Sequence, residues 1–296
     1  MFIAFGFLVV LGSVFGSYAA LGGHFGALFQ PFEFVLIAGA ALGAYISANS
    51  GKSVKLLLNA LPGVLRASPY SKSVYMELMA LLYVILNKAR RDGLMSIESD
   101  IEDPKASALF GEYPRILRDA KLVEFITDYL RIMISGNMSA FEIETLMDQE
   151  LETYQHERDI PSHSLRDVAD GLPAFGIVAA VLGVIKALAS VDQPPAILAN
   201  LISEAMVGTF LGILLAYGFV APLAASVGRR TVEAVKVREC IKVTLLANMN
   251  GYPPPLAVEF GRKVLYSSAR PSFAELEDHV RQTKSSASKK VDGPAA

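Results

Sequence analysis

An all-α, polytopic membrane protein with four transmembrane helices and a mainly helical cytoplasmic domain is the fold class this 296-residue sequence predicts. Three observations carry the prediction. Hydrophobic residues make up 52% of the chain, and they are gathered in long runs. The clearest run, Ala205 to Val227, holds no charged residue, and at about 1.5 Å per residue it crosses a hydrocarbon core of ~30 Å as one helix. Outside the runs, apolar residues recur at helical spacing, and no alternating strand pattern of useful length is found.

The first span is expected at about Phe2–Leu21. It starts apolar with no basic stretch before it, so it reads as a membrane span and not as a signal peptide. Gly12 and Gly16 give it a close-packing face. Residues 22–32 form a turn without Lys or Arg, and a second span follows at about Glu33–Ser50, with Gly39 and Gly43 as another small-residue pair. Residues 1–50 thus hold the first two spans. Lys52 and Lys55 then mark a cytoplasmic flank.

Residues 51–170 read as a cytoplasmic helical domain. A helix over Ser73–Arg91 ends at Asp92-Gly93. Ser99 with Glu102 resembles a capping box, cut short by Pro104. Pro114 opens a helix to Ser135, stopped by Gly136, and Ser139 with Glu142 caps another to about Glu157. Residues 171–227 hold spans three and four. Asp170-Gly171-Leu172-Pro173 starts span three, where a proline in the first turn is tolerated because that amide lacks an intrahelical partner. The loop at 192–199 has no Lys or Arg, and span four, about Asn200–Val227, ends at Arg229-Arg230. The basic flanks therefore place both termini inside. Residues 228–283 continue as cytoplasmic helices broken by Gly251-Tyr252-Pro253-Pro254-Pro255, the last helix opened by Ser272 with Glu275. Residues 284–296 are small and polar and read as a disordered tail.

Charge and chemistry narrow the function. Residues 51–170 carry a net −5 and residues 227–296 a net +5, so the two soluble segments are complementary and expected to pack together. The single cysteine, Cys240, excludes an internal disulfide framework and reads as a buried apolar residue. His24, His156, His163 and His279 lie far apart with no metal-ligand spacing, and neither a nucleophile elbow nor a P-loop is present. The expectation is a protein that is not an enzyme and uses no metal, cofactor or nucleic acid. An ion path needs a group that holds charge partway through lipid. Glu33, Lys186 and Glu204 all fall near the outer ends of spans, Lys186 snorkelling outward and Glu204 sitting at a helix start. If the chain forms a channel, another polypeptide must bring the mid-membrane carboxylate.

Span four carries the most specific pattern. Gly208 and Gly212 are spaced to admit a neighbouring helix, Thr209 brings a hydroxyl, and Pro222 removes the backbone bond to the Gly218 carbonyl. Taken singly, each has a bland reading as packing, as back-bonding to the helix, or as a kink. The order is what is specific: Ala205, apolar Met206, any residue, small Gly208, Thr209, apolar Phe210, any residue, Gly212, then Pro222 ten residues on. It resembles the signature of the flagellar motor stator family MotA. Tyr113-Pro114-Arg115-Ile116-Leu117, Leu172–Ala180, Asn250-Gly251-Tyr252 and Ala257–Lys263 extend the likeness to the proton-driven proteobacterial type over nearly the whole chain.

The resemblance implies a stator subunit in the bacterial inner membrane, several copies of which surround a dimer of a MotB-type partner that supplies the membrane aspartate. It implies that Thr209 and Ala180 line the ion path and that Pro173 and Pro222 shape the response to protonation. Sodium-driven relatives carry a hydroxyl at the position of Ala180, so alanine favours protons. It also implies that Arg90 and Glu98 push on the rotor protein FliG, although composition alone reads Lys88–Asp103 as a solvated charged surface. The rival readings are an ExbB/TolQ-type energising subunit, disfavoured by the paired spans before the large loop, and a structural scaffold.

Overall fold

The computed structural model describes residues 2–64 and 68–279. The chain divides into two compact units, one of Met1–Ala67 with His156–Thr231, the other of Ser68–Gln155 with Val232–Ala296. Among the described residues there is no strand. Four helical stretches are long and apolar enough to cross a membrane. The tail expected from Lys284 to Ala296 lies outside the described residues.

The first unit begins with α1 (Phe2–Ala20), a short α2 (Phe25–Leu28) within the expected turn, α3 (Pro31–Ala48) and α4 (Gly51–Val64). It is completed by the later part of α10 (Ala140–Leu188), by α11 (Pro195–Ile213), by a π-helical segment (Leu214–Val220) and by the start of α12 (Ala221–Met249). No residue of α1 is buried. Aromatic contacts hold it: Phe7 meets Phe219 at 5.0 Å between ring centroids, and Phe15 meets Phe210 edge-on at 6.4 Å. Among the described residues the expected close-packing faces at Gly12/Gly16 and Gly39/Gly43 are not used, since a methyl group at any of these four would meet nothing within 4 Å.

The sequence reading of span three needs correction. The helix expected to end near Glu157 and the span expected to start at Asp170 are one 49-residue helix, α10, with Pro161 and Pro173 inside it. Pro173 is therefore not in a first turn, and the Ala169 carbonyl loses the bond that an ordinary residue at 173 would give it. Side chains bridge the proline-containing stretch to α12. The Thr231 hydroxyl donates to the Arg158 carbonyl (3.0 Å), and the Ser162 hydroxyl donates to the Ala224 carbonyl (2.9 Å). Interhelical bonds of this kind let a membrane protein keep proline within a long helix.

The second unit comprises α5 (Lys72–Asp92), a 3₁₀ turn (Leu94–Ile97), α6 (Glu98–Glu102), α7 (Ala108–Gly111), α8 (Pro114–Leu117), α9 (Ala120–Ser135), the first turns of α10, the end of α12, α13 (Pro254–Lys263) and a helix at 273–279. Its core is built from large side chains, among them Leu78, Leu82, Phe110, Ile126, Ile241 and Leu245. The single helix expected over Pro114–Ser135 is broken at Asp119. That carboxylate accepts the Leu122 amide (3.1 Å) and the Tyr70 hydroxyl (2.8 Å), so it caps a new helix. At Ser99 no capping box forms, because α6 already begins at Glu98. The boxes at Ser139/Glu142 and Ser272/Glu275 do form; Ser139 and Ser272 each donate their amide to the glutamate at 2.7 Å. The complementary segments meet, as Lys72 pairs with Glu275 (2.8 Å) and Lys242 with Asp148 (2.5 Å). Cys240 is fully buried in the core, and this burial pushes its thiol up to about 12.

Candidate functional site

In the first unit, α10 and α11 meet through their smallest residues. A methyl group on Gly176 would stand 2.9 Å from the Gly208 carbonyl oxygen, 3.2 Å from the Gly212 Cα and 3.5 Å from the Thr209 Cα. One on Gly212 would stand 2.7 Å from the Leu172 carbonyl oxygen, and one on Gly183 would meet Ala205 at 2.5 Å. The obstacles at Gly212 are backbone atoms, which cannot swing aside. Sequence reasoning found Gly208 and Gly212 but missed their counterparts on α10, Gly176 and Gly183. The signal was present as a seven-residue glycine spacing within the span.

This packing sets Ala180 against Gly208, the residue before Thr209. A methyl on Gly208 would lie 2.8 Å from the Ala179 Cβ and 3.4 Å from the Ala180 nitrogen, so Ala180 stands beside the Gly208-Thr209 step. Thr209 and Ala180 are both half-buried. Among the described residues no hydrogen bond engages the Thr209 hydroxyl. Pro222 stands two residues past the end of the π-helical segment, where the Ala221 amide donates to the Ala216 carbonyl five residues back. Such π turns are rare and gather at functional positions.

Glu33 is the polar group that position in sequence hid. Its carboxylate oxygen Oε2 is buried without a hydrogen-bond partner, and a methyl on Gly208 would stand 2.9 Å from it. Glu33 is near the start of α3, but Gly208 lies thirteen residues into α11, about 20 Å along that helix. The two helices are offset, so the start of one faces the middle of the other. Lys186, expected to snorkel alone, reaches Glu204 at 3.7 Å.

In the second unit the helix α5 stops at Gly93, whose φ of +85° suits a residue without Cβ. The charged ridge that follows is mostly paired within itself. Lys88 binds Asp100 (2.7 Å), and Asp100 also accepts the Ser107 hydroxyl (2.6 Å). Arg91 binds Asp92, holding that carboxyl below its usual range, and Arg131 binds Glu102 and Asp128. Arg90 and Glu98 differ. Both are exposed, and among the described residues neither has an ion pair or hydrogen bond through its side chain.

Comparison with known proteins decides the family. Residues 4–93 match "Motility protein A N-terminal", and residues 119–239 match "MotA/TolQ/ExbB proton channel family". The motility protein A of Salmonella typhimurium is 58% identical over 96% of both chains. This chain belongs to the MotA family. The motility protein A of Escherichia coli stands at the same identity, and the chemotaxis protein LafT of Vibrio parahaemolyticus is 39% identical over 92% of this chain and 95% of its own. Among solved structures, the fold is similar to that of the Campylobacter jejuni MotAB structure (TM-score 0.75, 22% identity, 91% of this chain and 98% of that one). It is also similar to that of the Bacillus subtilis flagellar MotAB stator complex (TM-score 0.67, 23% identity, 86% and 92%). The MotA-specific match before the large loop sets the chain apart from the ExbB and TolQ branches.

Proposed function

We propose that this chain is the MotA-type stator subunit of a bacterial flagellar motor. With a MotB-type partner it forms a proton-conducting channel in the inner membrane and converts ion flow into torque on the rotor. The observation that carries the reading is the glycine-lined contact of α10 and α11, which sets Ala180 against Gly208 and the Thr209 backbone against Gly176, with the Thr209 hydroxyl without a partner among the described residues. Thr209 and Ala180 line the path, and the MotB-type partner brings the membrane aspartate. Gly208 and Gly212 set the helix separation, while Pro173 and Pro222 are where the backbone yields as that aspartate gains and loses its proton. The glycine faces of α1 and α3, empty among the described residues, suit a homo-oligomer around the partner's dimer. Both termini are cytoplasmic, and lipid covers the remaining apolar surface.

Arg90 and Glu98 are the contacts to the rotor protein FliG. Their neighbours are neutralised internally, so these two present uncompensated charge. Exposed pairs of this kind are worth roughly 0–1 kcal/mol and are weakened by salt, which suits contacts that must form and release repeatedly. One proton crossing the membrane supplies about 2.3 kcal/mol per 100 mV, enough to switch a few such contacts.

The test is complementation of a strain lacking its stator, with and without the MotB-type partner and over a sodium series, following swimming and cytoplasmic pH. Motility and acidification that require the partner and ignore sodium support the proton reading. Motility that tracks sodium keeps the motor and overturns the argument from Ala180. Neither motility nor ion flux, with both chains in the membrane, overturns the reading.

A further inference from the structure

The second unit carries a cleft of about 450 Å³ whose lining includes Arg90. Two helix ends make it. The helix α5 ends at Asp92, before Gly93, and α12 ends at Met249, shortly before Gly251, whose φ is +88°. At the second end the Gly251 amide donates to the Asn248 carbonyl and the Tyr252 amide to the Ala247 carbonyl, a Schellman closure. These two bonds satisfy the Ala247 and Asn248 carbonyls. Ala89, Leu94, Met133, Met249 and Tyr252 form the walls, with Leu94 and Tyr252 about two-fifths exposed. Arg90 is the only formally charged residue in the lining, and no carboxylate of this chain neutralises it among the described residues.

We propose that this cleft seats an apolar side chain of a rotor helix that also carries a carboxylate one turn away, the carboxylate pairing with Arg90. The proposal rests on the reading of Arg90 as a rotor contact and adds an apolar anchor to it. Charge complementarity selects this occupant. The chain's own segment beyond residue 279 carries Arg281, Lys284, Lys289 and Lys290 against Asp292, so Arg90 repels it. A lone cation at the mouth of an apolar cleft is satisfied by an acid flanking an apolar residue, and a helix brings the two together at i and i+3 or i+4. The two methionine walls are unbranched and flexible, which suits a surface that must accept successive copies of one partner.

The experiment places a photoactivatable benzoylphenylalanine at Leu94, Tyr252 or Met95 of the full chain. Each variant is expressed with its MotB-type partner in motile cells, and the adducts are mapped by mass spectrometry. Met95 is 63% exposed and lies outside the cleft, so it reports the rotor contact alone. Rotor adducts at Leu94 and Tyr252, mapped within one turn of a rotor Asp or Glu, are the expected result. With them, Leu94→Ser and Tyr252→Ser each lower swim-ring expansion at least twofold at unchanged stator level. A rotor adduct at Met95 with none at Leu94 or Tyr252 overturns the cleft and leaves the rotor reading standing. Adducts at the cleft to a second copy of this chain or to its own tail overturn the proposal. No rotor adduct at any of the three positions overturns the rotor reading as well.

Discussion

The two units keep their proposed functional residues in opposite ways. In the membrane unit the helices approach until backbone meets backbone, and the path residues are fixed by what is missing from their neighbours' side chains. Gly176, Gly208 and Gly212 each exclude a methyl group. In the second unit bulky side chains fill a core, and Arg90 and Glu98 stand out because most charged groups near them in sequence are paired and, among the described residues, they are not. The proposed function is held by close contact in one unit and by withheld contact in the other.

Substitution at the glycine contact breaks the comparison hardest. Gly212→Val drives side-chain atoms into the Leu172 carbonyl and the Gly176 Cα, and overpacking against backbone costs at least 1–3 kcal/mol. Swimming is expected to vanish, with loss of the partner from purified membrane complexes. Gly43→Val meets nothing within this chain, so its effect reads only contacts to other chains, and full loss of assembly there would locate an intersubunit face at α3.

A smaller contrast divides function from stability within the charged ridge. Arg90→Glu should reduce torque at least tenfold in tethered cells while changing the stability of the cytoplasmic unit by no more than about 0.5 kcal/mol, because its side chain has no internal partner to lose. Asp100→Ala removes the partner of Lys88 and Ser107 together and should cost about 1–3 kcal/mol, read as a lower midpoint in denaturant, with torque per surviving stator retained. Reversal of these two outcomes would mean that pairing does not separate structural from working charges here.

The smallest effect concerns acid. Hydrogen bonds from Lys72 and from Ser272 hold the Glu275 carboxyl down at about 2, and Arg262 holds Glu259 below its usual range. Their folded values lie below the unfolded ones, so their contribution is complete above about pH 4.5 and fades as pH falls towards 2. Hydrogen exchange on the purified complex from pH 7 to pH 3 should show α13 and residues 273–279 loosening first. Lys72→Ala should remove much of the pH dependence contributed by Glu275.

The sequence was most informative where chemistry depends on local spacing. The turn of span four from Ala205 to Gly212, the capping boxes at Ser139 and Ser272 and the stop at Gly251 are all set by neighbours within a few residues, and they fold as read. Continuity was less legible. Pro161 and Pro173 look like interruptions to any local rule, yet α10 runs through both, and beside Pro161 the Thr231 and Ser162 hydroxyls tie α10 to α12. Glu33 was hidden for a related reason. Its depth depends on the offset between α3 and α11, which no count along either helix reveals. The lack of partners at Arg90 and Glu98 is a property of the surrounding network, so sequence could rank them only by resemblance.

The π-helical segment Leu214–Val220 has a consequence for how this chain can be rewritten. A π turn holds one residue more than an α turn over the same rise, so the segment stores one residue of slack. Removing a single residue there would draw the slack in and leave α11 and α12 in their present phase. Removing one residue from the α-helical stretch just before it would instead rotate everything beyond by about 100°. The span that tolerates least change in side-chain size should therefore tolerate a deletion, provided the deletion falls within these seven residues.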